Sequence, residues 1–111
     1  MIQKRRNPSM LCNEKSFSNA EIISHAFKTM KRGKLVGQQT AGGVISTGGT
    51  ALIDGTTVRI PFRGWFLPDG TCEERNGATP DILVPQTPED EAKEYDGQLK
   101  TAVDDLLSRG K

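Results

Sequence analysis

The sequence predicts an α/β domain built around a strand–helix–strand unit, followed by β-hairpins and a closing helix. Three observations predict it. A short apolar run, Pro8-Ser9-Met10-Leu11-Cys12-Asn13, reads as a buried strand. Ile22, Ile23, Ala26, Phe27 and Met30 then recur at helical spacing, with Ser24, His25, Lys28, Lys31 and Arg32 on the other face. Lys34-Leu35-Val36-Gly37 supplies a second short strand, and tight turns on either side of the helix make the two strands parallel.

The 111 residues allow one modest core. Apolar residues are 34% and glycines number 12, which favours a loop-rich α/β domain over a helical bundle. A net charge of +1 argues for no nucleic-acid partner, and no apolar run has the length of a membrane span or a signal peptide. The chain therefore carries no visible address. Residues 1–7, with Lys4-Arg5-Arg6, are expected to be a flexible, solvated tail. Cys12 in the apolar strand reads as a small hydrophobe, Cys72 lies in a later loop or strand, and no Cys/His cluster has zinc spacing. No cofactor or metal is expected.

The helix is expected over about Asn19 to Arg32, with Gly33 as its C-cap and Lys31 and Arg32 against the negative end. Thr50–Ile53, Asp54-Gly55 and Thr57–Ile60 give a hairpin pattern, and Pro61 should end the second strand or mark an edge. Trp65-Phe66-Leu67, Pro68-Asp69-Gly70 and Thr71–Glu74 suggest another strand and turn, with Trp65 a core or loop anchor. Ile82-Leu83-Val84 is a short strand between Pro80 and Pro85. Thr87–Glu91 starts a helical turn with Pro88 near its first position. Leu99, Ala102, Val103, Leu106 and Leu107 mark the apolar face of the closing helix, and Asp104 and Asp105 its solvated side.

Ser18 stands at the corner between the first strand and the helix, and it has two readings. In one it caps the helix, with Glu21 three residues later reaching back as a capping box. In the other it is a nucleophile beside the unpaired N–H groups and positive pole of the helix start, which can stabilise an oxyanion. The glycine-rich stretch Thr40–Gly49 lacks the Gly-Lys-Ser/Thr ending of a phosphate loop and reads as a close-approach loop beside the site, centred on Gly42 and Gly43. His25, the chain's one histidine, lies two turns from Ser18, about 10 Å of rise, and is expected on the surface.

The longer pattern resembles the tricorn protease and C-terminal processing protease family of tail-specific serine peptidases. The residues that carry the resemblance are Asn13–Ile22 with its Ser-x-x-Glu-Ile, then Leu35–Val44, Arg59-Ile60-Pro61, Gly64-Trp65, Asp69-Gly70, Glu74, Gly77 and Thr79-Pro80-Asp81-Ile82, in the family's order. It implies a crotonase-like (ClpP-like) α/β fold with a mixed sheet, and a catalytic Ser18. The backbone N–H of Asn19 would be an oxyanion donor, and Glu74 would assist a histidine relay, with Glu73 its nearby competitor. Gly43 stands where the processing branch carries a catalytic lysine, so the chain looks more like the tricorn branch, which uses a histidine from a segment upstream of the nucleophile. The resemblance thus implies the C-terminal part of a catalytic domain, partnered by the upstream half, acting on peptides or unfolded proteins and capable of homo-oligomerisation. Residues 1–111 alone would be weak or inactive. The alternatives are a non-enzymatic peptide-binding module and a structural remnant in which Ser18 is only a cap.

Overall fold

The computed structural model describes residues 7–110, so the expected tail falls almost wholly outside them. β1 (Ser9–Cys12), α1 (Asn19–Thr29) and β2 (Lys34–Gly37) form the expected strand–helix–strand unit. β1 and β2 pair in parallel, Ser9 opposite Lys34 and Cys12 opposite Gly37. β5 (Ile82–Leu83) adds to the far side of β2, also parallel, giving the order β1-β2-β5. Leu35 and Val36 in the central strand are fully buried, and Cys12, Leu35 and Ala78 form the core with Met10 packed against them. The Cys12 thiol donates to the Gln38 carbonyl at 3.1 Å, and burial raises its pKa above the ordinary thiol value.

Close backbone contact, more than side-chain volume, sets this sheet. A Cβ on Gly37, whose φ is +132°, would lie 1.9 Å from the Cys12 carbonyl oxygen. Gly33 was expected as the helix C-cap, but α1 ends at Thr29 with Met30 as its cap, and Lys31 takes the left-handed conformation at φ 50°. Gly33 is instead required where the chain enters β2, because a Cβ there would meet the Pro8 carbonyl oxygen at 1.8 Å.

The face of α1 that packs inward is rotated from the apolar face read from the sequence and shares only Phe27 with it as a buried residue. Glu21, Ser24, His25 and Phe27 are buried, whereas Ile23 and Met30 are exposed. Ser24 satisfies its hydroxyl by donating to the Ala20 carbonyl one turn back. His25 is not on the surface: its Nε2 lies 2.9 Å from the Asn76 carbonyl oxygen.

β3 (Ile45–Ala51) and β4 (Thr57–Gly64) form an antiparallel hairpin around the expected Asp54-Gly55 turn, and it is longer than the sequence suggests. Antiparallel pairing is thus confined to the hairpin and parallel pairing to the three-stranded sheet. Pro61 lies inside β4, tolerated because the two-stranded ribbon leaves every strand an edge. Every residue of β4 is exposed, and the molecule measures 63 × 44 × 25 Å. A bulge interrupts the ladder: Ser46 faces Arg63 and Thr47 faces Pro61, so Phe62 is the extra residue. Phe66 and Cys72 make one further antiparallel bridge across the Pro68–Gly70 turn.

α2 (Pro88–Ala92) starts on Thr87, which accepts from the Asp90 N–H, and α3 (Gly97–Arg109) starts on Asp96, which accepts from the Leu99 N–H. α3 packs against β1 and β2 and buries Ala102 and Gln98, whose amide donates to the Val84 carbonyl at 2.9 Å; the remaining apolar residues of its expected face, Leu99, Val103, Leu106 and Leu107, stay exposed. Asp105 is not solvated either. It pairs with Lys34 at 3.0 Å and Arg109 at 2.6 Å, tying α3 to the start of β2, whereas Asp104 pairs with Lys100 on the surface. No helix among the described residues is long and apolar enough to cross a membrane.

Candidate active site

The corner at Ser18 is strained. Its φ of 57° and ψ of −122° place a residue with a Cβ in territory that favours glycine, at a cost of about 1–3 kcal/mol. Ser18 and Glu21 stand in a capping-box arrangement, yet the Ser18 hydroxyl makes no cap hydrogen bond. What holds the corner is backbone and carboxylate. Ser18 N–H donates to the Gly43 carbonyl at 3.0 Å and to Glu21 Oε1 at 3.2 Å, and the Ser18 carbonyl accepts from Glu21 N–H and Ile22 N–H.

Glu21 is completely buried, and it is an anchor more than a cap partner. Oε1 accepts from Gly43 N–H at 2.7 Å, and Oε2 accepts from Gly42 N–H at 2.6 Å and the Thr40 hydroxyl at 2.7 Å. A buried carboxylate with four donors is fully satisfied, which is the condition for burying it at all. Thr40 extends the lacing: its Oγ1 accepts from Ala78 N–H at 2.7 Å, and its N–H donates to the Ala78 carbonyl. Gly77 lets that segment close in, since a Cβ there would sit 2.1 Å from the Thr40 carbonyl oxygen. Glycine at 42 is needed for its φ of +80°; at 43 a Cβ would meet nothing nearer than Glu21 Oε1 at 3.9 Å.

Glu74 belongs to the same assembly. Its Oε2 accepts from Val44 N–H at 2.6 Å, one residue beyond the carbonyl that holds Ser18. Glu73 is buried, its N–H donates to the Trp65 carbonyl, and its Oε2 has no hydrogen-bond partner among the described residues. Asn19 begins α1, so its N–H is one of the donors that a helix start leaves without an intrahelical acceptor.

Ser18 and Asn19 line an open cavity of about 340 Å³ whose other wall is the hairpin and the residue after it: Thr47, Arg59, Phe62 and Trp65. The Phe62 bulge changes the alternation along β4, which lets Arg59 and Phe62 share that wall. Trp65, expected as a core or loop anchor, is 38% exposed and lines the cavity with its indole N–H donating to Ser46 Oγ at 3.0 Å. Arg63 packs over the Phe62 ring at 5.5 Å. The sequence pattern places Thr40 and Thr47 only within the glycine-rich stretch beside the site and gives Phe62 no role there. It marks Glu21 as a cap and as part of the family segment, and Arg59 as a hairpin and pattern residue, without their roles at the site.

The structure brings Ser18, Asn19, Gly42, Gly43 and Glu74 into one laced unit and leaves His25 out of it. His25 borders a different hollow with Lys28, Leu67, Thr71 and Thr79, which shares no lining residue with the Ser18 cavity. No three His, Cys, Asp or Glu side chains among the described residues come together as a metal site.

Comparison with known proteins gives a consistent picture. The model of Peptidase family S41 matches residues 2–84. Tricorn protease of Thermoplasma acidophilum is 37% identical over 99 residues, covering 87% of this chain and 9% of that protein. A crystal structure of the tricorn protease superposes with a TM-score of 0.84 at 34% identity, covering 93% of this chain and 10% of the other. The photosystem II D1 C-terminal processing protease gives a TM-score of 0.64 at 26% identity, covering 71% and 20%. The chain spans about a tenth of the length of the curated tricorn proteases it matches.

Proposed function

We propose that this chain, which belongs to peptidase family S41, carries the nucleophilic half of a serine peptidase site, with Ser18 as the nucleophile. The observation that carries this reading is the strained Ser18 corner: a positive φ at a helix N-terminus, with a hydroxyl that makes no cap hydrogen bond and lines a cavity. A serine used only as a cap gains nothing from a positive φ. A serine that must present its oxygen to a substrate carbonyl does, as at other strand-to-helix nucleophile turns.

In the proposed reaction Ser18 Oγ attacks the scissile carbonyl and its proton passes to a base. The Asn19 N–H donates to the oxyanion, aided by the helix pole, and the tetrahedral species then collapses as the protonated base returns its proton to the leaving amine. Water repeats the sequence on the acyl-enzyme. The base is the part the described residues do not place at Ser18, since the chain's one histidine is committed to Asn76. We assign it to a histidine from a segment upstream of Met1, as the tricorn resemblance implies. Glu74 would orient or stabilise that histidine, and its fixed contact with Val44 supports it over Glu73. The fold is read as crotonase-like (ClpP-like), with residues 1–111 the C-terminal part of one catalytic domain. Its partners would be the upstream half, a peptide or unfolded-protein substrate, and further copies of the same subunit.

Without that histidine the chain should hydrolyse peptides very slowly, because the catalytic groups act as a unit. Expressed together with the upstream half, it should hydrolyse an unfolded protein substrate, and Ser18→Ala should remove that activity while leaving the far-UV spectrum unchanged. Retained hydrolysis in Ser18→Ala would refute the assignment. The exposed edge of β4 favours one other reading, a module that pairs with extended peptides without cleaving them. That reading requires peptide binding with no hydrolysis in the reconstituted protein.

A further inference from the structure

We propose that Arg59 makes the Ser18 cavity a subsite for an acidic side chain, an aspartate or glutamate beside the peptide bond under attack. The inference deepens the peptidase reading and rests on it. Of the described residues that line the cavity, Arg59 alone is charged, and no Asp or Glu is among them. Among the described residues no carboxylate comes within 4.0 Å of its guanidinium, although Lys28, Lys34, Lys100 and Arg109 are all paired.

The guanidinium is also held in place. Nε and Nη2 both donate to Thr47 Oγ1 across the hairpin, at 3.0 and 2.6 Å. Those two bonds use two of the five N–H groups and leave three, including both on Nη1, for a ligand. A planar, pre-oriented fork of this kind matches a carboxylate better than a flexible ammonium would. The wall beside it supplies the rest of the recognition. Phe62 and Trp65 can cover the methylene stem of a glutamate, and the Trp65 indole is itself fixed by Ser46. The start of α1 adds a second positive pole on the opposite wall, so acidic residues are attracted and lysine or arginine residues repelled.

Trp65 is the chain's single tryptophan and reports on the cavity directly. The test titrates the chain with end-blocked hexapeptides that carry one Glu, or one isosteric Gln, at each position in turn, reading Trp65 fluorescence. The best Glu peptide should bind up to about fivefold more tightly than its Gln partner, a charge-assisted pair at an exposed site. Arg59→Gln should abolish the preference, Arg59→Lys should retain part of it, and Thr47→Val, which frees the guanidinium, should reduce it. A Glu/Gln ratio near one, a ratio unchanged in Arg59→Gln, or no fluorescence response to any peptide would overturn the proposal. So would a gain that appears only with a free chain end, compared in Gln peptides with free and amidated C-termini. Labelling of Ser18 by a fluorophosphonate is read separately in the reconstituted protein. A Glu preference without labelling keeps the subsite and rejects the peptidase, and labelling without the preference rejects the subsite alone.

Discussion

Replacing Glu21 by Gln tests the framework that presents Ser18. The wild-type carboxylate takes four donors, two on each oxygen: Ser18 N–H and Gly43 N–H on Oε1, Gly42 N–H and the Thr40 hydroxyl on Oε2. An amide keeps one acceptor oxygen, so two donors lose their partner and face an NH₂ group instead. Hydrogen bonds to a charged acceptor contribute roughly 1.5–3 kcal/mol each, so losing two would cost about 3–6 kcal/mol. The Thr40 hydroxyl can rotate to accept from the new NH₂, which returns about 1 kcal/mol and brings the expected loss to about 2–5 kcal/mol. Urea denaturation should show that loss, and the melting temperature should fall by at least about 10 °C for a domain of this size. Amide exchange should quicken most at Gly42, Gly43 and Ser18, ahead of the Leu35 and Val36 amides in the central strand. A loss below about 0.5 kcal/mol, or uniform exchange across the sheet, would refute the view that this carboxylate builds the corner.

Four further outcomes are expected. Ser18→Gly should stabilise the fold by up to about 1 kcal/mol in a thermal melt, because glycine relieves the positive φ, whereas Ser18→Ala should not. Gly43→Ala should be near neutral and Gly37→Ala strongly destabilising in the same melt, since only the latter Cβ runs into backbone, at the Cys12 carbonyl. Iodoacetamide should modify Cys72 before Cys12 in the folded chain and both alike in denaturant, because burial raises the Cys12 thiol pKa. The Lys34 ammonium, and then Arg109, lower the Asp105 pKa below the ordinary carboxylate value. A depressed folded pKa contributes stability above the unfolded value near 3.8, lost as pH falls through the folded one. Asp105→Asn should therefore flatten the acid limb of a stability–pH curve below about pH 4 and lower the plateau above it.

How much of this could be read from residues alone depended on which interaction decides each position. The parallel strand pair, the turn at Asp54-Gly55 and the corner at Ser18 follow from local pattern, because backbone geometry there is set by neighbours in sequence. The inward face of α1 does not. Periodicity points Ile23 and Met30 inward, but the donors of Thr40, Gly42 and Gly43 draw Glu21 inside, and the rotation carries His25 under with it. The exposed apolar row of α3 was misjudged for a related reason: Asp105 and Arg109 fix the helix on the sheet through charge pairs. Arg59 and Trp65 were visible as letters in a family pattern. Their place on the cavity wall depends on a one-residue bulge at Phe62, which no alternation rule anticipates.

The most direct measurement is the mapping of a fluorophosphonate adduct by peptide mass analysis, with the chain joined to its upstream half. The account predicts a single adduct on Ser18, absent after denaturation and absent in Ser18→Ala. An adduct on Ser16, Ser24 or Ser46, or none while both halves are folded and associated, would contradict it.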